Sequence, residues 1–175
     1  MRVRRSVPAI ILLTAFVLGV IVAVRVPPMA AHDEIYHWMR VVQISEGHLF
    51  PERVGEEWGG AVNAASFRFD MWLFERFLEL QPLKLADVWS HAGELAAGSA
   101  ETAVVPFSNT ATYSPLAYLP QAAGVFLARS VGANVLIQVL AGRLFNVAAY
   151  ISMLAPANAA TATPISPRRI VAGRP

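Results

Sequence analysis

The sequence predicts an all-α membrane protein, with about three transmembrane helices and short interfacial helices in a long first outer loop. One basis is composition: of 175 residues 55% are hydrophobic and 15% charged, and the mean hydropathy is +0.47, which lies on the membrane side of ordinary proteins. The other is charge placement. All twelve acidic residues lie between Asp33 and Glu101 with five basic residues, a formal charge of −7, whereas the flanks carry only arginine.

The same features exclude two classes of protein. The basic residues form no patch or stripe, so the chain is not expected to bind nucleic acid. The absence of cysteine excludes a disulfide framework, a thiolate nucleophile and a cysteine-based zinc site.

Residues 1–26 are predicted to form the first transmembrane helix. Val7 to Val24 are eighteen residues without a charge, long enough to span a bilayer with help from the flanks. The run exceeds the usual core of a signal peptide, and the sequence PPMAAH that follows makes a poor cleavage site, so we expect it to be retained. Arginines at positions 2, 4 and 5 place the N-terminus in the cytoplasm and residues 27–111 outside.

Two segments of the outer loop, 27–111, have helical apolar periodicity. They run from Ile35 to Ser45 and from Ser66 to Leu80. Both are predicted to lie in the membrane interface, because the second is too short and too charged to span. The stretch from His91 to Ala103 is small and polar, so we expect a loop with a solvated His91.

The chain becomes apolar again after the acidic region. A second transmembrane helix is predicted over 112–129 and a third over 136–155, with Arg129 at the cytoplasmic end of the second. The tail, 156–175, gathers proline, alanine and threonine and is predicted to be irregular.

Polar side chains cluster where the first helix would leave the membrane. Asp33, His37 and Arg40 are spaced to share one helical face, and Glu34 lies beside them. Such a cluster suits a reaction on a charged, lipid-linked substrate. Two carboxylates in a first helical turn are also typical of helix caps without any catalytic role. The residue types alone leave both interpretations open.

The order of the motifs narrows the choice. The Asp-Glu pair with its helical H-x-x-R is followed by Q-I-S-E-G-H, then N-T-A-T-Y-S-P-L-A-Y-L-P-Q-A, and finally A-G-R-L-F-N. From about Val7 to Tyr150 the chain resembles the N-terminal part of a bacterial family of membrane proteins with a domain of unknown function. That family in turn resembles the GT-C class of integral-membrane glycosyltransferases, of which this chain would be an N-terminal fragment.

The resemblance implies an activity and a set of site residues. Asp33 and Glu34 correspond to the acidic pair of GT-C enzymes, as catalytic base or as ligands of a divalent cation such as Mg²⁺ or Mn²⁺. His37 and Arg40 are candidates for the phosphate side of the site. The acceptor-side candidates are Asn109, Tyr113 and Tyr118. The implied donor is a polyprenyl-phosphate sugar, used in cell-surface polysaccharide synthesis at the bacterial cytoplasmic membrane.

Two alternatives accompany this hypothesis. The chain could be a non-catalytic membrane scaffold or a transport-associated subunit. It is also expected to be incomplete and inactive alone, because GT-C proteins use many membrane helices and the sequence departs from the pattern after Tyr150. A truncated gene with a frameshifted end would explain that change, as would a small membrane protein with a disordered tail.

Overall fold

A computed structural model describes residues 3–31, 33–95 and 101–161 of the chain. Two long helices, α1 and α7, pack against each other, and a body of shorter helices and one sheet lies between them in sequence. The helices are α1 (Val3–Arg25), α2 (Glu34–Ser45), α3 (Ala64–Leu78), α4 (Leu85–Glu94), α5 (Ser108–Ala111), α6 (Leu119–Ser130) and α7 (Val135–Thr161). A 3-10 turn covers Pro115–Tyr118, and the strands are β1 (Glu52–Val54), β2 (Glu57–Asn63) and β3 (Thr102–Pro106).

The two long helices pack against each other in opposite directions. Gly19 of α1 lies against Val147 of α7, so closely that a Cβ built on the glycine would be 2.9 Å from a valine methyl carbon. Four residues later on α1, the Ala23 carbonyl contacts Arg143, four residues earlier on α7. The C-terminal part of α7 therefore runs back toward the start of α1. A small residue at the contact lets the helices approach, as in membrane helix pairs.

Residues on the two long helices have the apolarity expected of membrane segments. In the described part of the chain, one helical stretch is long and apolar enough to cross a bilayer, Val135–Ala155, and Ala9–Arg25 forms a shorter apolar helix. The surface of α1 that α7 leaves uncovered is lined by large apolar residues such as Ile10, Leu13 and Val22. The first predicted membrane helix thus corresponds to α1.

The second predicted membrane helix, over 112–129, is not a continuous helix of spanning length. It consists of the 3-10 turn and the twelve-residue α6, which at about 1.5 Å per residue falls well short of a bilayer core of about 30 Å. Its apolar residues instead pack on α2 and on the first turns of α7. Apolar content alone did not distinguish this core helix from a span.

The third predicted helix exists but has different bounds. Helix α7 begins at Val135, and it continues to Thr161, six residues into the predicted irregular tail. The remaining tail, 162–175, lies outside the described residues. Val135, Leu136 and Val139 belong to the core of the body, so the start of α7 lies in the body and the remainder pairs with α1.

A three-stranded antiparallel sheet, in the order β1-β2-β3, corrects the all-α prediction. Its first hairpin pairs Val54 with Glu57 across a two-residue turn, where Gly55 adopts a φ of +63° that favours glycine. Glycines at 55, 59 and 60 are more typical of a loop than of a strand. Here they form the turn and the inner positions of β2, with Gly60 covered by the Gln43 side chain.

Both short helices predicted in the outer loop are present. Helix α2 matches the predicted 35–45, but its residues from Trp38 to Ser45 are all buried, so it is a core helix and does not lie in a membrane interface. Helix α3 begins two residues before the predicted start, where the Asn63 side chain accepts a hydrogen bond from the Ser66 amide at 3.1 Å.

The predicted polar loop from His91 to Ala103 has regular structure at both of its ends. Its first part belongs to α4, and its end belongs to β3, while 96–100 lies outside the described residues. His91 is not a solvated histidine. Its ring stacks on Trp72 with centroids 4.2 Å apart and an interplanar angle of 21°.

Candidate functional site

The segment between α1 and α2 positions the predicted acidic pair. Pro27 and Pro28 end the first helix because proline lacks an amide donor and clashes with the preceding turn. Met29 then turns inward with a φ of +61° and only 7% exposure. Asp33, at a φ of +65°, is the residue before the first turn of α2, and its side chain makes no capping hydrogen bond there. The Asp33 side chain therefore does not act as a hydrogen-bonding N-cap of α2.

Glu34 is bound by Arg143 across 109 residues of sequence. The Arg143 Nη2 and Nε donate to Glu34 Oε1 at 2.5 and 3.2 Å. The same guanidinium donates to three carbonyls at the end of α1, those of Ala23, Val26 and Pro27, at 3.2, 2.6 and 3.2 Å. These five bonds use all five N–H groups of an arginine.

The position of this ion pair, at the C-terminal end of α1, stabilises the charge of Arg143. The last carbonyls of a helix have no intrahelical partner and carry partial negative charge, so a cation there is stabilised. Glu34 and Arg143 side chains are 21% and 13% exposed, which limits screening by water. The pair ties α1, α2 and α7 together where α1 ends.

His37 lies one helical turn further along α2. Its ring is close to two tyrosines from another part of the chain, Tyr113 and Tyr118. The His37 Nδ1 is 2.9 Å from the Tyr118 hydroxyl oxygen. The His37 ring centroid lies 5.8 Å from that of Tyr118 and 6.0 Å from that of Tyr113. Tyr118 is buried and Tyr113 is 53% exposed, so the cluster runs from the core to the surface.

The chain segment that carries these tyrosines is hydrogen-bonded to α2 and also has a 3-10 turn of its own. The Thr110 hydroxyl donates to the Tyr36 carbonyl at 2.9 Å, and the Ser114 hydroxyl accepts from the Leu116 amide to begin the 3-10 turn. Asn109, the remaining acceptor-side candidate, is exposed on α5. The structure therefore brings His37 to two of the three predicted acceptor-side residues.

Arg40 lies inside the body. It is 1% exposed, and it donates to the Gln43 side chain and, at 2.9 Å, to the Leu49 carbonyl. Burial lowers the pKa of the Arg40 guanidinium, with Tyr118 acting in the opposite direction. An interior arginine that binds the end of its own helix and the following loop supports the fold, and its position is unfavourable for a phosphate ligand.

Asp70 is a buried acidic residue that the sequence analysis did not single out. It is 0% exposed on the inner side of α3, and within the described ranges neither carboxylate oxygen has a hydrogen-bond partner. Burial, with the charge of Glu34 as a second cause, raises the pKa of Asp70 to about 8. The sequence signal for a buried Asp70 was its position between Phe69 and Leu73, because it is an acidic residue on an apolar side of the helix.

The described residues do not assemble a metal site. In 3–31, 33–95 and 101–161 no group of three or more His, Asp or Glu side chains is placed to hold a metal ion. Of the two carboxylates predicted as ligands, Glu34 is paired with Arg143. The role of Asp33 and Glu34 as ligands of a divalent cation stays a prediction.

A long apolar helix pair with a mixed body at one end defines a membrane-anchored protein. The family described as "Predicted membrane protein (DUF2142)" matches residues 16–164, most of the chain, and the chain belongs to this family. The match extends beyond Tyr150, where the sequence analysis ended its resemblance. Searches of curated proteins and of solved structures found no match.

Proposed function

We propose that the chain forms the outer catalytic surface of a membrane glycosyltransferase whose donor is a polyprenyl-phosphate sugar. One observation carries the proposal: Asp33 directly precedes α2, Glu34 and His37 lie in its first two turns, and His37 contacts Tyr118, all near the end of α1. A lipid-linked donor holds its phosphate and sugar at that depth of a bilayer. The bacterial cytoplasmic membrane, with the body on its outer face, is the location this function requires.

The residues divide into roles that follow their contacts. Glu34, held by Arg143, is a positioning residue that fixes the start of α2 against α1. Asp33, half-buried and lining a cleft with Met29 and Ala30, is the candidate base. His37 is the phosphate-side candidate, because a protonated imidazole donates to phosphate and Tyr118 fixes the orientation of its ring.

The transfer would proceed as an inverting displacement. Asp33 takes the proton from the acceptor hydroxyl, whose oxygen forms a bond to the anomeric carbon of the sugar. The bond from that carbon to the phosphate oxygen breaks, and polyprenyl phosphate leaves with its electron pair. His37 would meet the charge that develops on the leaving phosphate. Tyr113, exposed beside His37, would contact the acceptor.

Donor binding tests the phosphate side of this proposal. The full chain in lipid nanodiscs is titrated with a polyprenyl-phosphate sugar and with the corresponding polyprenol, which lacks the phosphate. We expect phosphate-dependent binding that His37→Ala weakens and that His48→Ala, a change at an exposed histidine, leaves intact. Equal binding of both lipids, or equal loss in both variants, would refute the assignment.

Transfer itself tests the acidic pair. In a family member that completes transfer, the change corresponding to Asp33→Asn should abolish product formation while donor binding persists. The control is the change corresponding to Asp87→Asn, at an exposed aspartate of α4. Transfer that continues unchanged without the base would eliminate the enzyme hypothesis.

A non-catalytic scaffold is the second candidate function, and the Glu34–Arg143 pair favours it. All five guanidinium donors are satisfied by the fold, an arrangement sufficient for a purely structural role. Under this hypothesis Glu34→Gln lowers the stability of the protein, and Asp33→Asn changes neither stability nor any transfer. The two hypotheses thus differ in the effect of Asp33→Asn on transfer.

A further inference from the structure

The turn between α3 and α4 carries an exposed apolar surface, here called the 74–89 patch. Large apolar side chains there are between 36% and 88% exposed: Phe74, Phe77, Leu78, Leu80, Leu85 and Trp89. Single exposed apolar residues are ordinary on soluble surfaces, but such a run along one stretch of chain marks an interaction surface.

The opposite sides of the same helices already form the core. Phe69 and Leu73 of α3 and Val88 and Ala92 of α4 are at most 4% exposed. Packing of the body therefore accounts for the inner sides and leaves the 74–89 patch without a partner in the described chain. Leu80 has a φ of +53°, an uncommon backbone conformation for a bulky residue, and its side chain points outward at 88% exposure.

The position of the patch identifies its partner. Phe74 and Phe77 line a cleft of about 210 Å³ with Met29, Ala30 and Ala31, the residues that follow the end of α1. Helices α3 and α4 also contact α7. The patch thus begins beside the segment that follows α1, the first predicted membrane helix.

We propose that the 74–89 patch inserts into the interface of the bilayer and that its partner is the lipid surface. Trp89 is suited to the headgroup level, and Lys84 can place its ammonium among phosphates while its stem lies on apolar surface. The contact would fix the tilt of the body on the membrane. It does not depend on sugar transfer. Of the two predicted interfacial helices, it keeps the end of the second, now joined to α4, and excludes α2, which is buried.

Single-cysteine labelling tests the proposal directly, because the chain has no cysteine of its own. Leu80→Cys and, as a matched control, Phe50→Cys receive a nitroxide label, since both residues are apolar and exposed, by 88% and 76%. Neither change removes a core side chain, so both variants should fold. The full chain is then reconstituted in vesicles of phosphatidylethanolamine and phosphatidylglycerol.

The readout is collision of the label with oxygen, which concentrates in lipid, and with a water-soluble nickel complex. We expect the label at position 80 to favour oxygen severalfold over the label at position 50, which should behave as fully aqueous. Equal nickel accessibility at both positions would overturn the proposal. Protection at position 80 that weakens on dilution of the protein in the vesicles would also overturn it, by identifying a second copy as the partner.

Discussion

At the scale of single residues, Arg143 connects three helices through one guanidinium. Its five donors join the end of α1, the start of α2 and the body of α7. From the sequence, Arg143 belongs to the motif A-G-R-L-F-N and to the predicted third membrane helix, 136–155. No spacing rule could have paired it with Glu34, because the contact spans 109 residues and depends on α7 running antiparallel to α1.

Removing the guanidinium should destabilise the protein strongly. Arg143→Ala leaves Glu34 and three helix-end carbonyls without their donor, and breaking a largely buried pair costs about 3 kcal/mol or more. The matched control is Arg68→Ala, whose partner Glu101 and own side chain are more than half exposed, for which about 1 kcal/mol or less is expected. Unfolding free energies of both variants in detergent compare them. Similar losses would contradict the structural role of Arg143.

Asp70 should make the stability of the body depend on pH. Its pKa rises from 3.8 to about 8 on folding, so the folded protein binds the proton more tightly than the unfolded chain. The contribution of Asp70 to the free energy of unfolding is therefore highest below about pH 4. It declines by about 1.4 kcal/mol per pH unit until the pH passes the pKa that Asp70 has in the folded protein.

Asp70→Asn tests this dependence, because the amide cannot ionise. The variant should be more stable than the parent at neutral pH, and its stability should lose the decline between about pH 4 and pH 8. Asp87→Asn, at an exposed aspartate, should keep the decline. Unfolding curves measured at several pH values give the slopes, and parallel slopes in parent and Asp70→Asn would disprove the burial effect.

At the scale of elements, periodicity predicted where most helices lie but not what surrounds them. The apolar periodicity of α2 predicts a helix in the membrane interface. In the structure the sheet and α6 cover those apolar residues. The strands were missed because β2 contains adjacent glycines and β1 is only three residues long, so neither shows alternation. For the candidate site, the order of motifs assigned His37 and the two tyrosines to one site. The buried positions of Arg40 and Asp70 could be seen only in the folded structure.

The close contact of α1 with α7 makes a prediction about Gly19. Glycine to alanine in an open helical position, such as Gly93 with nothing within 4 Å of the added Cβ, should stabilise by up to about 1 kcal/mol. Gly19→Ala should lack this gain, because the new methyl meets Val147 at 2.9 Å. Adding Val147→Ala should restore it, a coupling that a double-mutant cycle in detergent measures. Independent, additive effects would place the two helices further apart.

At the scale of the whole molecule, the arrangement of α1 and α7 changes the expected topology. The sequence predicted three spans, which place Ser130 on the opposite side of the membrane from the acidic loop. In the structure α6 is too short to span and packs on α2, which in turn contacts the sheet, so that all three belong to one body. Since α7 then returns alongside α1, we expect two crossings, with everything between them on one side.

Two crossings also change how the arginines are interpreted. Three spans would put Arg168, Arg169 and Arg174 outside, against the bias for positive charge on the cytoplasmic side. With α7 running inward, a chain that continues past it would lie on the side of the arginines that precede α1. With two crossings, the arginines at positions 2, 4 and 5 and those at 168, 169 and 174 are all expected on the cytoplasmic side, as this bias requires.

Labelling of single cysteines in intact cells distinguishes the two maps. Phe50→Cys and Val131→Cys are exposed, by 76% and 81%, and lie on either side of the disputed segment. Two crossings predict that a membrane-impermeant thiol reagent reaches both, while Ser6→Cys, beside the leading arginines, reacts only after the membrane is opened. If Val131→Cys instead reacts only in opened membranes, residues 112–129 cross the bilayer and the body cannot be one folded unit on the outer face.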